Sequence, residues 1–262
     1  MAGRHPNIDP ELKAHREWLG YLQPVGLVVA PAAMLEADWI VTRSGSELLQ
    51  GQERYREALT PLNGADDADD NDGERGFFAI WDLLGEHLGW NPEDLDQSPE
   101  TIAAYSKDLP ELGETLTPTA VVPVATGDGA QLLVVELPMR AAMDQKFAAG
   151  DQLWRASAQE RLERLLRETG VEAGLLFNGS HLRLVVAPKG ESSGHLTFRL
   201  SDLAEVSGRM MFSGLYLLLG QSHVFLDPDG RRLTDVLKKS RSFQAVVSNA
   251  LADQVLAALW DL

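Results

Sequence analysis

A succession of two strands, one helix and a hairpin, spanning residues 120–188, constrains the fold more than any other part of this chain. The segments Ala120–Ala125 and Gln131–Leu137 are short, apolar and separated by a Gly-containing turn, which predicts two strands. Apolar residues at helical spacing predict an amphipathic helix over Ser157–Thr169. The dipeptide Asn178-Gly179 then lies between two further apolar runs and favours a tight hairpin.

This order of elements predicts the fold class α/β (mixed α+β), with a mixed central sheet flanked by helices. We expect Leu162, Leu165 and Leu166 to be buried on the sheet, because they lie on one face of the predicted helix. Nearer the N-terminus, the apolar run Gly26–Ala30 predicts a short buried strand, which Pro31 would end.

The chain divides into three parts by composition. Residues 1–113 are acidic and predicted to be mainly helical, with a mobile loop at 64–76 that holds six acidic residues and almost nothing apolar. Residues 114–200 contain the sheet core, and residues 201–262 are expected to form helices packed on that core. The last predicted helix ends with the chain at Leu262, so we expect the natural polypeptide to continue into further domains.

The excess of negative charge lies in the first half of the chain. Residues 1–130 hold 24 Asp and Glu against 8 Lys and Arg, whereas residues 131–262 hold 15 against 15. Tight binding of duplex DNA usually needs a basic face. The acidic excess of this chain therefore argues against tight DNA binding. The acidic half indicates simple solubility, docking on a basic partner or mimicry of nucleic acid. The chain has no cysteine, no apolar run of about 18 residues and no secretory signal, which predicts a cytoplasmic protein without membrane contact.

Candidate catalytic positions lie at the ends of the first two predicted strands. In the restriction-nuclease core, an Asp on one strand and a Glu-x-Lys on the next hold Mg²⁺ and activate water. Here Thr119 stands at the position of the Asp, Glu136 provides the second carboxylate, and Pro138 replaces the Lys. Glu136 and Gln159 are therefore expected as vestigial positions of a degenerate restriction-nuclease-like core. Asp128 in the turn and Asp144 past the second strand are the two carboxylates that could complete the site, and the active alternative would use Glu136, Gln159 and Asp144.

Histidine spacing gives no sign of a metal centre. None of the six histidines forms a pair with the spacing of metal ligands, and thiolate ligands are ruled out by the absence of cysteine. No metal site is therefore predicted in this chain, and Mg²⁺ belongs only to the alternative in which the nuclease is active.

The same region carries a resemblance to a known family. The run 159–188, QERLERLLRETGVEAGLLFNGSHLRLVVAP, resembles the N-terminal region of large type IIG-like restriction–modification DNA methylases, including those of DISARM phage-defence systems. Supporting segments are WLGYLQPVGLVV (18–29), GESSGHLTF (190–198), VVS (246–248) and LADQVL (251–256). The resemblance implies that a methyltransferase domain using S-adenosylmethionine and a target-recognition domain follow in the same polypeptide. Other subunits of a defence system are further implied partners.

These observations lead to one main functional expectation and two alternatives. The main one is a catalytically inactive, nuclease-like module that acts in scaffolding or in DNA or partner contact within a restriction–modification DNA methyltransferase. The alternatives are an active Mg²⁺-dependent DNA endonuclease and an acidic mimic of DNA. Any weak DNA contact is expected from a cluster of cations, which otherwise forms a solvated helix face: Arg231, Arg232, Lys238, Lys239 and Arg241.

Overall fold

The computed structural model describes residues 9–62, 74–148 and 154–243. The predicted helix at Ser248–Leu262 and residues 64–73 of the predicted acidic loop lie outside the described residues. The helices are α1 (Pro10–Leu22), α2 (Pro31–Glu36), α3 (Ser46–Ala58), α4 (Ile80–Leu84), α5 (Pro99–Tyr105), α6 (Ala158–Thr169), α7 (Leu200–Leu203) and α8 (Arg209–Leu219). Residues 233–243 are also helical, and Ser222–Leu226 form a π-helical turn.

Strands account for most of the remaining regular structure. They are β1 (Thr60–Pro61), β2 (Arg75–Gly76), β3 (Lys107–Leu109), β4 (Glu114–Leu116), β5 (Ala120–Pro123), β6 (Ala130–Glu136), β7 (Phe147–Ala148), β8 (Arg155–Ala156), β9 (Ala173–Phe177), β10 (His181–Val186) and β11 (Gly194–Arg199). Short antiparallel pairs join β1 to β2, β3 to β4 and β7 to β8.

A five-stranded sheet in the order β11-β10-β9-β6-β5 forms the centre of the molecule. Strands β6 and β9 are parallel, and every other neighbouring pair in this sheet is antiparallel. The parallel pair requires a crossover connection, which α6 supplies. The predicted mixed sheet flanked by helices is therefore confirmed, and the bounds of β5 and β6 lie within two residues of those expected from the sequence.

Helix α6 covers one face of the sheet. Ser157 caps its first turn by accepting a hydrogen bond from the N–H of Glu160, and Gly170 ends it with φ at 77°, a conformation that glycine adopts at little cost. Leu162, Leu165 and Leu166 are each 1% exposed and pack in the cluster beneath the helix, as predicted.

The other face of the sheet packs against a larger helical layer. Inward side chains of alternate strand residues, such as Leu132 on β6 and Leu184 on β10, share one core with Trp18 of α1, Tyr55 of α3 and Phe212 of α8. The sheet is thus the middle of three layers. In the described ranges, no helix combines the length and the apolar character that crossing a membrane requires.

The prediction of a strand over Gly26–Ala30 is wrong. Gly26 has φ at 67°, outside the range of an extended strand, and only Val25 pairs with the sheet, through an isolated bridge to His195 on β11. At the opposite edge, Asp96 makes a similar isolated bridge to Val121 on β5. The apolar character of this run reflects burial of Val28 and Val29 beneath the helical layer instead of strand pairing.

Two helical glycines provide a matched test of this packing. A Cβ added at Gly214 in α8 would lie 2.5 Å from Cε3 of Trp18, whereas one at Gly51 in α3 would lie 3.8 Å from Phe212. We expect Gly214→Ala to lower the free energy of unfolding by about 1–3 kcal/mol, because the buried indole cannot move freely. Gly51→Ala should raise it by up to about 1 kcal/mol through helix propensity. Urea denaturation of both variants measures the two effects, and equal shifts would contradict the packing of α1 on α8.

Candidate functional site

Glu136, the predicted vestigial carboxylate, fixes the start of a helix. It is the last residue of β6, and its Oε2 accepts a hydrogen bond of 3.1 Å from the backbone N–H of Ile80, the first residue of α4. Thr119 accepts a hydrogen bond from the N–H of Glu136 and donates one to the carbonyl of Val134, both at 3.0 Å. These contacts join the ends of two strands to the beginning of α4.

The residues at these positions do not fit the Mg²⁺ ion that the nuclease resemblance implies. Mg²⁺ takes oxygen ligands in octahedral geometry, and carboxylates supply the charge that holds it. One oxygen of Glu136 already accepts a hydrogen bond from Ile80, the hydroxyl of Thr119 is engaged on both sides, and Pro138 offers no amine. Among the described residues, no group of three or more His, Asp or Glu side chains is placed to hold a metal ion.

Glu136 and Gln159 lie on opposite faces of the central sheet. Side chains alternate along β6, so Glu136 shares the face of Leu132 and Val134, which belong to the core of the larger helical layer. Gln159 lies on α6, which packs on the other face, where Leu133 is buried. The structure therefore does not bring together the two residues that the sequence singled out.

Gln159 instead joins a polar cluster around Arg183 on β10. The guanidinium of Arg183 donates two hydrogen bonds to the carboxylate of Asp144, at 2.6 and 2.9 Å, and one to Oε1 of Gln159 at 3.2 Å. Its Nε donates to the hydroxyl of Thr197 on β11 at 2.8 Å. Four of the five guanidinium N–H groups are thus partnered within the protein. Asp144 and Gln159 thus both accept hydrogen bonds from the guanidinium of Arg183.

The sequence analysis missed Arg183, although one signal was available. Arg183 interrupts an otherwise apolar strand, and residues 182 and 184–186 on either side are apolar and buried. An arginine in such a strand is nearly always paired with a carboxylate or several acceptors, because leaving its charge unpaired in a protein interior is costly. A search for that acceptor would have pointed to Asp144 or Gln159.

The electrostatics of this cluster come from an unequal burial of its two charges. The side chain of Arg183 is 7% exposed, whereas that of Asp144 is 67% exposed. Hydrogen bonds from Arg183 hold the pKa of Asp144 below its usual value. Burial lowers the pKa of His195 and of His181, and the charge of Arg183 lowers both further. At pH 7 the ion pair of Arg183 and Asp144 therefore lies beside two neutral imidazoles, those of His181 and His195.

A serine beside this cluster lacks the arrangement of a nucleophile. The hydroxyl of Ser180 lies 2.9 Å from Nδ1 of His181, and Oε1 of Glu74 approaches the same nitrogen at 3.8 Å. A catalytic triad engages the two ring nitrogens separately, with the serine on one and the acid on the other. Ser180 is 1% exposed and also contacts Oδ1 of Asn178 in the hairpin turn. Its contacts stabilise the turn.

The cations predicted to contact DNA lie on and before the helical residues 233–243. Lys238 is exposed on this helix. The other four pair with carboxylates of the same chain: Arg231 with Asp38, Arg232 with Asp229, Lys239 with Glu36, and Arg241 with Glu172 and Glu191. These pairs offset most of the local positive charge, and DNA contact by this strip stays a prediction.

The pairing of Asp144 with Arg183 predicts a pH-dependent contribution to stability. Because the folded pKa of Asp144 is depressed, its contribution is present above the unfolded pKa of about 3.9 and is lost as the pH falls through the folded pKa. We expect Asp144→Asn to lower the free energy of unfolding by about 1–2 kcal/mol at pH 7, a value reduced for the exposure of Asp144. Denaturation from pH 7 to pH 2 should show this difference vanish at the acid end.

Asp128→Asn, in the exposed turn between β5 and β6, is the matched control for this experiment. No ion pair involves Asp128 in the part of the chain that the structure describes, so its substitution should leave stability within about 0.5 kcal/mol. A difference between wild type and Asp144→Asn that persists unchanged at pH 2 would contradict the role given to the ionised carboxylate.

The chain was compared with known proteins by sequence and by structure, and no relative was found. No protein-family model, no curated protein and no solved structure matches the chain.

Proposed function

We propose that this chain is a catalytically inactive, nuclease-like module that acts as a scaffold within a DNA restriction–modification enzyme. The order β5, β6, α6, β9, with β6 parallel to β9, is the order expected of the nuclease core and supports this proposal. The single observation that carries it is the use of Glu136 as a hydrogen-bond acceptor for the start of α4. The one carboxylate at the expected catalytic position has a structural role.

The neighbouring groups support the same conclusion. Thr119 stands where the nuclease core has its Asp, and its hydroxyl forms two backbone hydrogen bonds that fix the end of β6. The residue at this second position therefore also has a structural role. On the opposite face, the carboxylate of Asp144 and the side-chain oxygen of Gln159 already accept hydrogen bonds from Arg183. An alternative Mg²⁺ site built from Glu136, Gln159 and Asp144 would have to reach through the sheet, which argues against the active endonuclease.

A scaffold role suits the way in which this module is built. Its sheet is covered on both faces, and the buried cores on either side hold the strands rigid. In the proposal, the methyltransferase with its S-adenosylmethionine and the target-recognition domain lie elsewhere in the same enzyme. Contact with DNA is then made chiefly by those domains, and this module positions them.

The proposal predicts that the purified chain does not cleave DNA. Supercoiled and linear duplex DNA should stay intact after incubation with Mg²⁺ or Mn²⁺, because Thr119 and Pro138 leave Glu136 as the single ligand at the nuclease positions. Gel electrophoresis of the products measures this. Metal-dependent cleavage that Glu136→Ala or Asp144→Asn abolishes would overturn the proposal in favour of an active endonuclease.

The structural role of Glu136 gives a separate prediction on stability. Glu136→Ala should lower the free energy of unfolding by about 0.5–1.5 kcal/mol, because the N–H of Ile80 loses its acceptor. Glu136→Gln keeps a side-chain oxygen at the same reach and should recover most of that loss. Thermal and urea denaturation of the two variants make the comparison, and an unchanged stability of Glu136→Ala would remove the observation on which the proposal rests.

A further inference from the structure

A pocket of about 830 Å³ lies in the helical layer, and neither Glu136 nor the polar cluster around Arg183 lines it. One stripe of α3, at Leu48, Gly51 and Arg54, forms one wall, and Phe212 and Tyr216 of α8 form the opposite wall. Its volume is in the range that holds a drug-sized molecule.

The pocket is lined by apolar and aromatic side chains and by one buried ring nitrogen without a hydrogen-bond partner among the described residues. Leu48, Gly51, Phe212 and Leu217 are buried, and the rings of Phe212 and Tyr216 lie 4.8 Å apart. His87 also lines the pocket, and its Nε2 is buried without a hydrogen-bond partner in the described part of the chain. A buried polar atom left without a partner is uncommon in a finished core. It marks a place where a ligand can supply one.

The rim of the pocket is acidic. Exposed carboxylates of Glu47, Glu57 and Glu86 line it, and Arg54 is the one Lys or Arg among the described residues of the lining. None of these four charges forms an ion pair with another described residue, although many surface charges elsewhere do. Burial lowers the pKa of His87 at the end of the pocket, which keeps that ring neutral at pH 7. The lining thus has an excess of negative charge.

We propose that this pocket binds an organic cation, an ammonium ion carrying an apolar body. The apolar body would pack on Leu48 and Phe212, where it leaves water. The cationic group would lie at the rim, within reach of the carboxylates and against the face of Tyr216, whose ring attracts cations. The excess of carboxylates disfavours phosphate or carboxylate ligands, which separates this site from a nucleotide pocket.

Three compounds that share one body test the choice of charge: 4-phenylbutylammonium, 4-phenylbutanol and 4-phenylbutyrate. Isothermal titration and ligand-observed NMR with the full chain should show the order ammonium, alcohol, carboxylate, with a difference of at least about tenfold between the first and the last. Added salt should weaken only the ammonium, because the rim charges are exposed and screened.

Variants of the chain locate the binding site. Gly51→Leu should abolish binding, because the new side chain enters the pocket beside Phe212, whereas Gly51→Ala adds only an ordinary contact at 3.8 Å and should bind nearly as wild type. Glu57→Gln and Glu86→Gln should each weaken the ammonium about two- to fivefold and leave the alcohol unchanged. Circular dichroism confirms that each variant is folded.

Several outcomes would overturn this inference. These are equal affinity for the ammonium and the carboxylate, unchanged binding to folded Gly51→Leu, and no binding of the ammonium at about 10 mM, a concentration at which small fragments bind real pockets. Each outcome concerns only the groove between α3 and α8. The proposed scaffold function is tested by the stability of the Glu136 variants and by the absence of DNA cleavage. The two proposals therefore fail independently.

Discussion

The parallel pairing of β6 with β9 is the constraint on which the rest of the structure depends. Two parallel neighbours cannot be joined by a tight turn, so the chain must leave the sheet, cross one face and return. Helix α6 makes that crossing and lies over β9 and β10. The polar cluster around Arg183 occupies the part of the face towards β11, where Thr197 and His195 lie. Coverage of the opposite face then falls to α1, α3 and α8, which form the third layer.

The centre of the fold was predictable because its signals are local. Ser157 and Glu160 cap the helix within three residues of each other, Gly170 ends it, and Asn178-Gly179 sets the hairpin. Each of these features acts over a few positions, so a single sequence displays it. The run Gly26–Ala30 was misjudged for the opposite reason. Apolar residues there are buried by helices distant in sequence, and periodicity cannot distinguish that kind of burial from strand pairing.

The candidate site was harder to predict, because its geometry depends on the parity of strands and on distant partners. Glu136 does lie at a strand end and Gln159 at a helix start, as predicted. Because side chains alternate along β6, however, Glu136 points to the face of the sheet opposite to the one that α6 and Gln159 cover. Arg183 finds its acceptors 39 and 24 positions away, in a loop and on α6. Spacing in the sequence contains no record of such contacts, and the pocket between α3 and α8 joins residues even farther apart.

The two isolated bridges at the margins of the sheet bear on how this protein avoids aggregation. An outermost strand presents unpaired N–H and C=O groups that can recruit the strand of another molecule. Val25 exchanges both backbone hydrogen bonds with His195 on β11, and Asp96 does the same with Val121 on β5. The bridge at Val121 lies within β5, and the bridge at His195 lies near the start of β11. A neighbouring chain therefore meets a shorter row of free groups at either margin than the whole outer strand would present.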